Sequence, residues 1–326
     1  MMCMGQRISF AFVFLASLAW AQSDWRKVCA DATSAPLTVP ENGGDLRKCD
    51  STALYYGFDR PPDWKAALEC AYYQRAHPHP NQADPFAGPG VLTMLYANGL
   101  GVPRNYDLAI RFACENTWAA EAEMQGRIAH LEKLRDGHAD AKDFDLCDDA
   151  TSGLMAGECE WVQQQFLNAR RRKEMDAISV NWPPPIKQAF KSLEAAEEAF
   201  VQASGYHEVD LSGSARAAFS LEEQGRLRDQ FLATIQRFAA GQATSDYQNA
   251  DRSLNDAYQR IQQAPDSFWQ WGTVKPSGIR DTERLWIQLR DAWVEFARQA
   301  FPRLSADAVR TEITRQRTAQ LEGFLK

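Results

Sequence analysis

Residues 51–73 and 93–115 carry one pattern twice at an offset of 42, and no other feature restricts the fold of this chain as much. Leu54-Tyr55-Tyr56-Gly57 aligns with Tyr96-Ala97-Asn98-Gly99, and Trp64, Ala67, Leu68 and Ala71 fall on Tyr106, Ala109, Ile110 and Ala113. Each copy predicts a short apolar helix closed by a glycine, which adopts the left-handed conformation at no steric cost. A turn containing proline follows, then a second helix with alanines four apart. Those alanines share one face and let another helix approach closely. A period of this size built from helix pairs predicts a helical solenoid, whose units bury their apolar faces against each other. Such surfaces bind partners, so the repeat points to an interaction protein.

At 326 residues the chain is long enough for two domains, and an apolar content of 45% supplies material for their cores. The net charge of −7 argues against a nucleic-acid partner, because neutralising phosphates requires a basic face. The N-terminus reads as a secretory signal. Arg7 provides the positive flank, Ile8 to Leu18 the apolar stretch, and Ala19-Trp20-Ala21 the small-x-small cleavage pattern. The apolar run is too short to span a bilayer. Cleavage near Ala21 would leave a chain of charge −8, with no membrane span, exported to a periplasmic or extracellular compartment. Six cysteines then remain: Cys29, Cys49, Cys70, Cys114, Cys147 and Cys159. An even count in an exported chain predicts three disulfides. Two pairings serve the first four: Cys49–Cys70 with Cys29–Cys114, or Cys29–Cys49 with Cys70–Cys114. Without a Cys-x-x-Cys pair, and with the histidines scattered, no metal or other cofactor is expected.

Along the chain, the repeats occupy a first domain at 22–140, with a further amphipathic helix at 118–136. The Gly/Asp-rich stretch 136–147 marks the boundary to a second domain at 141–326. Asn181-Trp182-Pro183-Pro184-Pro185 excludes helix and forms an elbow. Helical periodicity follows at 186–204, 215–240, 245–264, 279–300 and 305–325. Gly205 to Gly213 reads as a turn, and no strand is predicted. The fold class is all-α throughout.

Tyr96-x-x-Gly99-x-Gly101-Val102-x-x-Asn105-Tyr106-x-x-Ala109 resembles the signature of Sel-one-like repeats, solenoid units related to tetratricopeptide repeats. The 51–73 copy departs from it, with Arg60-Pro61-Pro62 where Gly-Val belongs. The resemblance implies a scaffold for protein partners. The second half resembles the lysozyme-inhibitor LprI-like domain of bacterial exported proteins. Three pieces carry that likeness: Cys147 to Cys159 followed by a helix; Ala250-Asp251-x-x-Leu254-Asn255-x-x-Tyr258; and Trp286-x-x-x-Arg290-Asp291 with a closing Arg317-x-x-x-Leu321. The family's opening cysteine pair implies a Cys147–Cys159 bridge, which also closes a short loop. The cysteine that family places soon after its Arg-Asp pair is missing here, and 181–240 reads as an insertion.

Trp286, Leu289, Trp293, Phe296 and Ala300 share one helix face and predict a buried seam, with Tyr247, Leu254, Tyr258 and Ile261 facing it. Arg290 is expected to clamp Asp251 across the two helices, beside Asn255 and Asp291. Phe268-Trp269-Gln270-Trp271, in a loop ending at a Gly/Pro stretch, predicts an exposed element whose Trp269 and Trp271 anchor in a partner. The basic run Arg170-Arg171-Arg172-Lys173 reads as a solvated face. Nucleophile elbows, phosphate loops and His-Glu-x-x-His are absent from the sequence, so no catalytic residue and no enzyme activity are expected. The sharpest expectation is a protein-binding protein of the bacterial envelope with lysozyme as its partner. The alternatives are an envelope scaffold binding through the solenoid near Tyr56, Tyr96 and Tyr106, and an envelope enzyme.

Overall fold

The computed structural model describes residues 24–34, 37, 39, 45–78, 84–116, 119–137, 143–269 and 272–326. The signal-like segment at 1–21 and Trp271 lie outside them. All regular structure among the described residues is helical. The first half holds α1 (Trp25–Ser34), α2 (Ser51–Tyr56), α3 (Trp64–Ala76), α4 (Pro89–Asn98), α5 (Tyr106–Glu115) and α6 (Glu121–Arg135). The second holds α7 (Gly153–Ser179), α8 (Pro184–His207), α9 (Arg216–Ala239), α10 (Tyr247–Gln263), α11 (Pro276–Ala300) and α12 (Ala306–Gly323).

The repeat extends to individual hydrogen bonds. Gly57 and Gly99 close α2 and α4 with φ of 66° and 69°. Asp63 N donates to Leu54 O, and Asn105 N donates to Tyr96 O, both at 2.9 Å. Asp63 and Asn105 then cap α3 and α5 by accepting from Ala66 N and Leu108 N. A side chain at Gly57 would lie 2.5 Å from Arg60 O and from Pro62 N, so the turn admits only glycine there. Helix α4 is buried from Gly90 to Asn98 and forms the centre of the first core. Two disulfides tie this region together: Cys49–Cys70 joins the start of α2 to α3, and Cys29–Cys114 joins α1 to α5.

The first core extends beyond the 136–147 boundary expected from sequence. Phe144, Leu146, Met155 and Val162 belong to it, and buried Asn98 bonds both Phe144 N and Phe144 O. The bridge Cys147–Cys159 packs against the same cluster. Met175 and Ile178, later on α7, pack against the second core. Helix α7, of 27 residues and roughly 40 Å, thus contributes to both cores. Gly/Asp composition marked the connecting loop, but the apolar residues just after it carry the packing.

The second core lies among α8, α9, α11 and α12, with α7 along α9 and α10 along α12. The 181–240 stretch that reads as an insertion supplies α8 and α9, two of those four helices. Gly205 is not a turn residue. It lies inside α8, and a Cβ there would meet the Gln224 side chain of α9 at 2.7 Å. Helices α7 and α9 run parallel, as Gly153 against Ser214 and Gln164 against Gly225 show.

All three bridges lie in the first half, so reductant is expected to destabilise the first core alone, by about 3 kcal/mol per bridge, and to lower only its unfolding midpoint. Calorimetric scans with and without reductant check this. An equal shift of every transition would contradict the division into two cores.

Candidate partner-binding face

Asp251 and Asn255 lie one turn apart on α10, where Asn255 Nδ2 donates to Asp251 Oδ2 at 3.1 Å and Tyr247 Oη donates to Asp251 Oδ1 at 3.2 Å. The predicted clamp to Arg290 does not form. Arg290 turns instead to its neighbour Asp291, with Nη2 and Nε at 2.8 and 3.0 Å from Oδ1, and lies over the Trp286 ring. The reason is packing: α10 lies along α12, so its seam residues Leu254 and Ile261 face that helix more than α11. The four polar residues still share a neighbourhood. Burial pushes the Tyr247 phenol up in pKa, and the nearby Arg290 charge opposes that shift. What results is a polar face with Asn255 and Asp291 exposed, not a fixed interhelix lock.

The aromatic loop differs more sharply from expectation. Trp269 is only 6% exposed and belongs to the second core, with its indole N–H lacking a hydrogen-bond partner. A buried ring cannot anchor in a partner. Phe268 beside it is 36% exposed. Trp286, Leu289, Trp293 and Phe296 form the predicted buried seam, which packs on α8: Phe296 meets Trp182 and Phe190 at 5.3 and 5.4 Å between ring centroids.

The basic run is solvent-exposed at Arg170, Arg172 and Lys173 but not at Arg171. Arg171 is buried and donates to both carboxylate oxygens of Asp229 at 2.9 Å and to Gly225 O, locking α7 to α9. Arg170 joins the same carboxylate, and Arg172 pairs with Asp59 of the first half. In the repeats, Tyr96 is buried and Tyr56 donates to Asp145, so neither offers a free ring to a partner on the solenoid.

The strongest electrostatic element was not foreseen from the sequence. Arg317 on α12 is fully buried, and its guanidinium donates to both oxygens of Glu208 at 2.6 and 2.8 Å and to Glu283 Oε2 at 2.8 Å. Ser204 adds a bond to Glu208, and the Phe200 ring lies 5.5 Å from the guanidinium centre. Burial alone would weaken the Arg317 charge, but the two carboxylates outweigh it and hold the cation firmly protonated. The three residues fasten the end of α8 to α11 and α12. Their one sequence signal was Arg317 in the closing Arg-x-x-x-Leu pattern. Glu208 and Glu283 stand 109 and 34 positions away in the chain.

Among the described residues no group of three or more histidine, cysteine or acidic side chains could hold a metal ion, and no helix is long and apolar enough to cross a membrane. Searches of curated proteins and of solved structures returned no match. Residues 233–321, from the last turns of α9 through α10 and α11 to α12, match the family model of the lysozyme inhibitor LprI.

Proposed function

We propose that this is an exported, non-enzymatic inhibitor of lysozyme-type muramidases in the bacterial envelope, secreted by the segment before Gln22. The observation that carries the reading is the match of residues 233–321 to a lysozyme-inhibitor family, over helices whose polar face is solvent-exposed. Three disulfides suit an oxidising compartment outside the cytoplasm. The net charge of −7 favours attraction to basic lysozymes. In this reading the inhibitory contact belongs to the helices of the second half, α8 to α12, and the N-terminal helix pairs, similar in sequence to Sel-one-like repeats, brace α7.

The expected result is stoichiometric inhibition of cell-wall lysis by the purified, oxidised chain from Gln22 onward. Undiminished lysis at tenfold excess, with animal and bacteriophage-type lysozymes alike, would sink the proposal.

A further inference from the structure

A groove of about 820 Å³ opens at the end of the second core where the α8–α9 connection, the first turns of α9 and the end of α12 converge. Its size suits a protein side chain with its flanking backbone. Val274, Phe324 and Phe219 give it an apolar lining, and Phe219 is 48% exposed, unusually open for a phenylalanine. Its charged lining is acidic: Glu208, Asp210, Glu222 and Glu223 against a single Arg226. Most of those charges are already paired. Glu208 is held by Arg317, and Glu223 receives both arms of Arg226 at 2.6 and 2.7 Å. Asp210 accepts from Ser212 and Thr273 and stays an anion, because those hydrogen bonds hold its carboxyl below the usual range. Glu222 is exposed, with no ion-pair partner among the described residues.

Two carboxylates thus lack a cation at the mouth of an apolar groove, beside an exposed ring. A guanidinium or ammonium group satisfies all three features: it pairs with a carboxylate, lies over an aromatic face, and lays its aliphatic stem on apolar surface. We infer that this groove, and not the α10–α11 polar face, docks a cationic side chain of the basic muramidase, with Glu222 and Asp210 as its anions and Phe219 as its stacking ring. This inference rests on the lysozyme-inhibitor reading. The groove lies largely outside residues 233–321, since Glu208 to Arg226 precede them.

The test compares wild type, Glu222→Lys and Asp176→Lys for binding to a basic c-type lysozyme by calorimetry. Asp176 is an exposed residue late in α7, which the parallel register places at the far end of α9 from Glu222. Glu222→Lys is expected to weaken binding at least tenfold with an unchanged melting curve, while Asp176→Lys binds as wild type. Equal affinity for Glu222→Lys and wild type overturns the groove while leaving the inhibitor reading intact. If wild type itself does not bind, that reading fails. The groove is then judged by NMR titration with an arginine-rich hexapeptide. Shifts at the Phe219 and Phe324 amides that vanish in Glu222→Lys uphold it, and no shifts there overturn it.

Discussion

Arg317→Met is expected to destabilise the second core by about 3–5 kcal/mol, because it leaves the buried Glu208 and Glu283 carboxylates facing each other without a cation. Methionine keeps much of the side chain's length and apolar stem, so the loss reports the charge more than the volume. Urea unfolding followed by the fluorescence of Trp182, Trp286 and Trp293 measures it, since all three rings pack in or against this core. Adding Glu208→Gln and Glu283→Gln to the same variant should restore most of the loss, because amides do not need a counter-ion. A single Arg317→Met variant within about 1 kcal/mol of wild type would show that the triad is not the fastening described above.

The second large effect is a pH dependence centred on Glu197. Its Oε1 is shielded from solvent without a hydrogen-bond partner, at a cavity of about 30 Å³ also lined by Trp286, Trp293 and Arg317. Burial pushes its carboxyl up to about 7. Arg228 on α9 and Arg171 on α7 oppose the shift, and Glu194 and Glu198 on its own helix add to it. The folded value lies above the unfolded value of about 4.5, so unfolding releases a proton between those two pH values. Stability due to this group is therefore retained at the acid end and lost as pH rises to 7, remaining lost above it.

Glu197→Gln removes the titration. The gap between variant and wild type is expected to widen by about 2–3 kcal/mol from pH 4.5 to pH 8, a figure reduced from the full shift because solvent reaches part of the side chain. Carboxylates remote from Glu197 titrate alike in both proteins and drop out of the difference. Parallel unfolding curves at every pH would rule out a buried, proton-binding Glu197.

Local features of the chain were readable in advance. The glycine-closed turns at Gly57 and Gly99 depend on residues within a few positions. Helical periodicity marked the Trp286–Phe296 seam as buried for the same reason. The proline run was read only in part, because Pro184 and Pro185, expected to exclude helix, occupy the first positions of α8, where a missing N–H costs nothing. Partner choice between helices was not readable. The spacing of Tyr247, Leu254 and Ile261 defines a face without saying that α12 covers it, so the Arg290–Asp251 clamp was drawn between the wrong surfaces. Trp269 misled because neighbouring Gly and Pro residues identify a loop but not what that loop covers. The Arg317 triad draws on three helices far apart in sequence. A run of arginines likewise carries no sign that the second of them, Arg171, turns inward to Asp229.

Capture of a basic muramidase by this acidic helical protein requires direct binding between the two. Isothermal titration of the oxidised chain against a basic lysozyme, at low and at high ionic strength, tests it most directly. One-to-one binding that weakens as salt rises is expected, because exposed carboxylates steer and hold a cationic partner. Absence of any binding heat at both salt concentrations, together with uninhibited lysis, would contradict it.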